Sequence, residues 1–223
     1  MSILLLMRHG QASFGTADYD LLTELGERQS IETGLHFARV GTGFDQVQMG
    51  PRRRHSATAA AALSQMRDAP KPITLVGLDE FADASEVLEA AQHMRGLTVG
   101  PMAALPRSEQ LRHYDALIEA WMQGRAQIGG RPSAASFRAG VAGWLREVVA
   151  RPARSQRLLA VTSAGVIAAA VAEVLELPVE RMAQFTRVMR NASLTEIAFA
   201  AGRVSLMSFN SVTHLPPSLA TGM

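Results

Sequence analysis

The sequence predicts an α/β fold: a three-layer α/β/α sandwich on a mostly parallel sheet, with a helical excursion over one edge. Three observations carry that expectation. Short unbroken apolar runs, ILLLM at residues 3–7 and RLLAVT at 157–162, have the composition of strands buried on both faces of a parallel sheet. Amphipathic helical patterns alternate with them, as layered α/β proteins require. A closing stretch, SLTEIAFAAGRVSLMSFN, reads as two strands joined at Ala201-Gly202, an antiparallel hairpin ending the sheet. Residues 1–223 are read as one domain, with 81–135 as its cap-like excursion.

The elements follow in order. After the first strand and a polar loop, LTELGERQSIETGLHFARVG predicts a helix. Thr23 is its N-cap, Glu24 and Glu27 sit at its positive end, and Gly41 terminates it. FDQVQMG is a second strand, followed by a helix from about Arg53 to Met66. Pro70 and Pro72 interrupt, and ITLVG at 73–77 is a third strand. In the excursion, the helical pieces ASEVLEAAQHM and LRHYDALIEAWMQG are separated by loops bearing Gly and Pro. SFRAGVAGWLREVVA restores clear helical periodicity. RLLAVT is then a central strand, and AGVIAAAVAEVLEL its following helix.

Composition excludes several function classes. Net charge is only +2, and Lys71 is the sole lysine, so the basic character is arginine chemistry rather than a large positive field. The arginine-rich stretch lacks interleaved aromatic platforms, and no nucleic-acid partner is expected. With no cysteine there are no disulfides, thiolate nucleophiles or Cys-based metal sites. The apolar stretch 158–175 contains Thr162, Ser163 and Glu173, which fits a strand, a turn and a helix better than a membrane span. A cytoplasmic location without a membrane partner is expected.

The chemistry begins where the first strand ends. Ligands of open α/β sheets sit beyond the carboxyl ends of strands, and Arg8-His9-Gly10 occupies such an end. Arginine offers a planar fork to phosphate oxygens, histidine is a possible nucleophile, and glycine lets backbone N–H groups approach an anion. Charged and titratable groups closing a buried strand need a partner or a ligand. MGPRRRHSATAAAAL places three arginines at the next helix start, where an anion is also welcome.

These blocks resemble the histidine phosphatase, or phosphoglycerate mutase-like, superfamily over most of the chain. LMRHGQAS looks like its Arg-His-Gly signature, and DLLTELGERQS like its Leu-Thr-x-x-Gly-x-x-Gln block. GPRRRHSATA resembles Ser-Pro-x-x-Arg-Ala-x-x-Thr-Ala, aligning Arg54, Thr58 and Ala59. LDE aligns Glu80 with the family acid. AVTSAGVIAAAV resembles Val-Ser-His-Gly-Gly-Val-Ile, and FNSVTHL the C-terminal Asn-x-x-x-His-Leu. The resemblance implies hydrolysis of a small-molecule phosphate ester without metal or organic cofactor. His9 would become a phosphohistidine, Arg8 and Arg54 would neutralise the equatorial oxygens, and Glu80 would protonate the leaving oxygen. Gly10 and Ser163 complete the implied phosphate site. An acid in that role needs a raised pKa.

Two positions depart from the pattern. Ser163 stands where the family has its second histidine. By analogy with a lost oxyanion donor, the penalty is roughly 3 kcal/mol, a slow enzyme rather than a dead one. Gly15 stands where the family usually has a phosphate-contacting asparagine, a loss that Ser13 or a backbone N–H could offset. His55 replaces a small alanine; His55 or His214 could stand in for the missing cation, but both are expected to be ordinary residues rather than catalytic groups. His36, His93 and His113 lack metal-ligand spacing. Arg52 and Arg53 read as a solvated helix start. Two other readings stay open: a non-catalytic module binding phosphate esters, and a phosphoglycerate mutase-type phosphotransferase. Substrate identity is assigned to the 81–135 region.

Overall fold

A six-stranded sheet forms the middle layer of the computed structural model, which describes residues 1–13, 20–94, 105–150, 155–200 and 203–222. Its strands are β1 (Ser2–Arg8), β2 (Gln46–Met49), β3 (Ile73–Thr74), β4 (Arg157–Thr162), β5 (Leu194–Ala200) and β6 (Arg203–Ser211). They lie in the order β3-β2-β4-β1-β5-β6. The first four are mutually parallel; β5 adds antiparallel to β1, and β6 pairs antiparallel with β5 at the edge. This is the α/β sandwich that the apolar runs imply. The expected Ala201-Gly202 junction lies outside the described residues.

Strand β1 shows how the two cores arise. Side chains alternate across a strand, so Leu4 and Leu6 enter one apolar cluster while Leu5 and Met7 enter the other. The second cluster packs helices α1 (Glu24–Arg39) and α2 (Arg53–Leu63) on one face through Phe37, Ala59 and Ala62. The first takes α5 (Ala134–Val149) and α6 (Ala164–Val174) on the other. The helices of the excursion, α3 (Ala84–Met94) and α4 (Arg107–Met122), join that same cluster through Leu88, Leu117, Ile118 and Trp121. Phe81 stacks on Trp121 at 4.6 Å and meets Phe137 edge-on at 5.6 Å, tying the start of the excursion to α4 and α5.

Helix α1 begins as expected. Thr23 is extended and its hydroxyl accepts the Gly26 N–H at 3.1 Å, while Gly41 turns the chain away at φ +66°. Three expectations need correction. The third strand is two residues long, because β3 is an edge strand with both residues exposed; beyond Leu75 the chain winds into a 3₁₀ turn, Val76–Leu78, that buries Leu78. Helix α2 stops at Leu63, short of Met66. Helix α7 (Met182–Val188) has no counterpart in the expectation, since burying only Met182 and Ala183 gives it no apolar stripe to read. No helix among the described residues is long and apolar enough to cross a membrane.

Candidate active site

The site grows from adjoining strand ends. Parallel register pairs Arg8 with Thr162, and the His9 N–H donates to the Thr162 carbonyl at 2.9 Å. Arg8, His9 and Ser163 therefore emerge side by side at the carboxyl edge of the sheet. His9 Nδ1 lies 2.7 Å from the Gly10 carbonyl oxygen. A carbonyl only accepts, so the ring hydrogen sits on Nδ1 and Nε2 carries the lone pair. Burial, then the charges of Arg54 and Arg8, push the His9 pKa well below its usual value. At neutral pH His9 is an uncharged imidazole with a free Nε2 lone pair, the form a nucleophile needs.

Gly10 is required for a different reason from the one expected. A Cβ there would stand 2.2 Å from the Gly26 carbonyl oxygen, in the first turn of α1. The Gly10 N–H donates to Thr58 Oγ1 at 3.0 Å rather than into the pocket. Its contribution is close packing of the His9 loop between α1 and α2.

Arg52 and Arg54 are held by carboxylates. Arg54 reaches Asp20 Oδ1 at 2.8 Å and lies 3.6 Å from Asp83 Oδ1. Asp20 also accepts the Arg53 N–H at 2.8 Å and the Arg54 N–H at 3.4 Å, capping α2 where its own N-cap residue, Arg52, has no side-chain acceptor. Arg52 is not the solvated residue expected of it. It bonds Asp79 and Asp83 at 2.5 Å each, whereas Arg53 is exposed. Arg8 donates through Nη1 to the Met189 carbonyl.

Glu80 follows the 3₁₀ turn and reaches α6. Its Oε2 accepts the Gly165 N–H at 3.1 Å and its Oε1 accepts the Phe81 N–H at 3.0 Å. Burial raises its pKa, and those two N–H groups with Arg54 and Arg8 only partly offset the rise. The raised value expected of a proton donor is present. Gly165 makes the arrangement possible: a Cβ there would stand 2.1 Å from Glu80 Oε1 and 2.6 Å from the Phe81 ring. Reading the sequence assigned Gly165 no role, although a glycine at the helix start after a buried strand was its signal.

Ser163 closes the strand-end row, and its partner is His55. His55 Nε2 lies 2.6 Å from Ser163 Oγ, and the His55 ring centroid is 5.8 Å from that of His9. Both members are within the core, at 0% exposure for His55 and 1% for Ser163. Burial, then Arg54 and Arg52, push the His55 pKa well below the usual histidine value. His55 is thus a neighbour of the expected nucleophile rather than an incidental residue. His214 lies elsewhere, 3.0 Å from Thr33 Oγ1 and 5.5 Å from the His36 ring, beside the amino ends of β1 and β4.

Arg8, His9, Glu80 and Gly165 share a pocket of about 120 Å³ with Phe81, Leu111, Tyr114, Asp115, Ile118, Thr186 and Arg187. The excursion supplies most of the outer wall, as expected, and α7 supplies the rest. The Ser13 N–H is occupied by the Leu21 carbonyl at 3.0 Å, and Gly15 lies outside the described residues. Among the described residues no group of three or more His, Cys, Asp or Glu side chains is placed to hold a metal ion.

Known structures share this architecture. A phosphoserine phosphatase mutant from Entamoeba histolytica, bound to phosphoserine, superposes with a TM-score of 0.69 at 21% identity, covering 97% of this chain and 100% of that one. A mycobacterial glucosyl-3-phosphoglycerate phosphatase gives 0.67 at 20% identity over 95% and 99%. YhfR of Bacillus stearothermophilus gives 0.70 at 18% identity over 96% and 99%. Comparison with curated protein sequences found no significant match. The family model described as histidine phosphatase superfamily, branch 1, matches residues 4–212, so the chain belongs to that superfamily.

Proposed function

We propose that the chain hydrolyses small-molecule phosphate monoesters through a phosphohistidine on His9. The observation that carries this reading is the pairing in one pocket of a neutral, buried His9 with a carboxyl, Glu80, whose pKa is raised. His9 Nε2 attacks phosphorus as the bond to the leaving oxygen breaks, and Glu80 delivers its proton to that oxygen. The resulting carboxylate then takes a proton from water, whose oxygen displaces the imidazole and releases phosphate. Arg8 and Arg54 neutralise the equatorial oxygens, and phosphoryl transfer asks mainly for such positioning and charge. Ser163 stands in the place of the second histidine and makes turnover slow.

The test is turnover of p-nitrophenyl phosphate, with acid-quench trapping of the phosphoenzyme, by wild type and His9→Ala. Wild type is expected to turn over slowly and to carry an acid-labile phosphoryl group that the variant lacks. Equal rates for the two proteins remove His9 as nucleophile. The Ser163 position favours one competing reading, a phosphate-ester-binding module without catalysis, which predicts binding with no trapped phosphoenzyme. A mutase reading is weaker, because among the pocket's lining residues Arg187 is the one cation at the outer wall, and it stands beside two carboxyl groups, Asp115 and Glu119.

A further inference from the structure

We infer that Asp115 is a specificity residue, and that the pocket selects phosphate monoesters whose organic part carries a cationic amine on a short alkyl link. This deepens the hydrolase reading, rests on it, and names its substrate class as aminoalkyl phosphates. The argument starts from charge. Asp115 lines the same pocket as His9 and Glu80, and it lies one turn before Glu119 on α4. Like charges at that spacing repel. Arg187 is committed to Glu119 at 2.8 Å and acts on Asp115 only through space. Among the described residues no hydrogen bond or ion pair engages the Asp115 carboxylate. Two carboxylates therefore share one guanidinium, and the pocket mouth keeps an excess of negative charge.

Hydrogen-bonding capacity points the same way. Thr186 also lines the pocket, and its hydroxyl donates to the Ala183 carbonyl at 3.1 Å. Its hydrogen is thus spent, and what it offers a ligand is a lone pair. Asp115 and Thr186 both ask for a donor, and Asp115 asks for a positive one as well. Burial raises the Asp115 pKa; Arg187 opposes the rise and Glu119 adds to it, so a cation seated beside Asp115 would offset what its own surroundings cost it. Phe81, Ala82, Leu111 and Ile118 give the pocket apolar walls, which suit methylene groups better than a polar chain. The bound ester is then dipolar: its phosphoryl group meets Arg8 and His9 at the inner end, and its ammonium meets Asp115 at the mouth. A neutral hydroxyl satisfies the acceptors but not the charge, and a second anion is repelled.

The test compares three esters of similar size, aminoethyl, hydroxyethyl and carboxymethyl phosphate, as substrates of wild type and of Asp115 variants. Wild type is expected to favour aminoethyl over hydroxyethyl phosphate about fivefold to tenfold in kcat/KM, the range of one partly solvated charge pair. Carboxymethyl phosphate should be the poorest of the three. The preference should sit in KM rather than kcat, because the ammonium stays on the organic part and does not touch the transferring phosphoryl group. Asp115→Asn keeps the shape and should bring the aminoethyl to hydroxyethyl ratio to about one. Asp115→Glu should keep more of the preference than Asp115→Asn, and Asp115→Lys should invert it toward carboxymethyl phosphate. A merely structural Asp115 predicts losses shared by all three esters. That result, a wild-type ratio near one, or a preference that survives Asp115→Asn overturns the proposal. If wild type turns over none of the esters, the hydrolase reading fails while this one is judged by calorimetry. Tighter binding of aminoethyl than hydroxyethyl phosphate, lost in Asp115→Asn, sustains it; equal affinities or no binding end it.

Discussion

Arg8 and His9 at the inner end of the pocket are almost wholly buried, as are Arg54 and Ser163 behind its lining; Arg8 bonds the Met189 carbonyl, His9 the Gly10 carbonyl, Arg54 the Asp20 carboxylate and Ser163 the His55 ring. The outer end, formed by Tyr114, Asp115, Thr186 and Arg187, is partly or fully exposed. Its ion pair, between Arg187 and Glu119, is open to solvent. The inner groups come from strand ends and the α2 start, elements locked by the two apolar cores. The outer groups come from α4 and α7, which lie over the sheet edge. On the proposed hydrolase reading, a site divided this way would hold one unchanging group, the phosphoryl, rigidly, and leave the ester's organic part to elements that can vary without disturbing the chemistry.

The largest expected effect tests the inner end. His9→Ala should reduce turnover by at least about a thousandfold, as loss of a nucleophile does, and abolish the trapped phosphoenzyme. Glu80→Gln should follow, at about a hundredfold for alkyl phosphates and far less for p-nitrophenyl phosphate, whose leaving group needs no protonation. Gly165→Ala sharpens this, because the added Cβ would meet Glu80 Oε1 at 2.1 Å and force the carboxyl off the α6 N-terminus. It should reproduce the same leaving-group dependence in a folded protein. A uniform loss across leaving groups would show that Gly165 governs packing rather than the position of the acid.

The two ends also differ in how much of them the sequence discloses. Strand ILLLM, the Thr23 cap and the Arg-His-Gly turn are local, strongly patterned features, and the structure keeps them. Glu80 is legible as an acid only through its family block; its link to Gly165 spans 85 residues and leaves no local pattern. His55 is the clearest case. The sequence marks it only as a histidine in place of a small alanine, and only the fold brings it to Ser163, 108 residues away. Helix α7 is unreadable for the opposite reason: it buries too little to leave a period. Thr186 and Arg187 are lost with it. Long-range pairing of polar side chains has no periodicity, so the apolar frame was legible and the polar wiring was not.

Stability should report the burial of the imidazoles. His9, His55 and His214 have pKa values lowered by burial, that of His214 to about 4, so the folded state keeps them neutral. As pH falls through about 6.5 the unfolded chain takes up protons that the folded one refuses, and stability falls by up to about 1.4 kcal/mol per pH unit for each histidine. For His214 the loss levels off near pH 4, where the folded form also protonates. Glu80 works in the other direction: its raised pKa makes the folded state the better proton acceptor above the ordinary carboxyl range. Four histidines, His36 among them, against two carboxyls, Glu80 and Asp115, give a net decline, measurable as a falling Tm between pH 7 and 5. A flat profile would mean that the imidazoles are not held neutral.

The smallest expected effect lies at the outer wall and decides whether the division between the two ends is real. Arg187 is exposed and its bond to Glu119 is a surface ion pair, worth at most about 1 kcal/mol. Asp115 sits beside it, its pKa raised by burial, with Arg187 opposing that rise and Glu119 adding to it. Arg187→Ala therefore frees a half-buried carboxyl from its cationic neighbour and removes a positive charge from the pocket mouth. Esters whose organic part is anionic should lose a few-fold in kcat/KM relative to neutral ones, with the change in KM rather than kcat, because the charge touches the bound ester and not the transferring phosphoryl. Competing an anionic against a neutral alkyl phosphate in one reaction measures that ratio directly. A drop in kcat shared equally by both esters would mean that α7 reaches the chemistry itself, and the pocket would then have to be read as one continuous device.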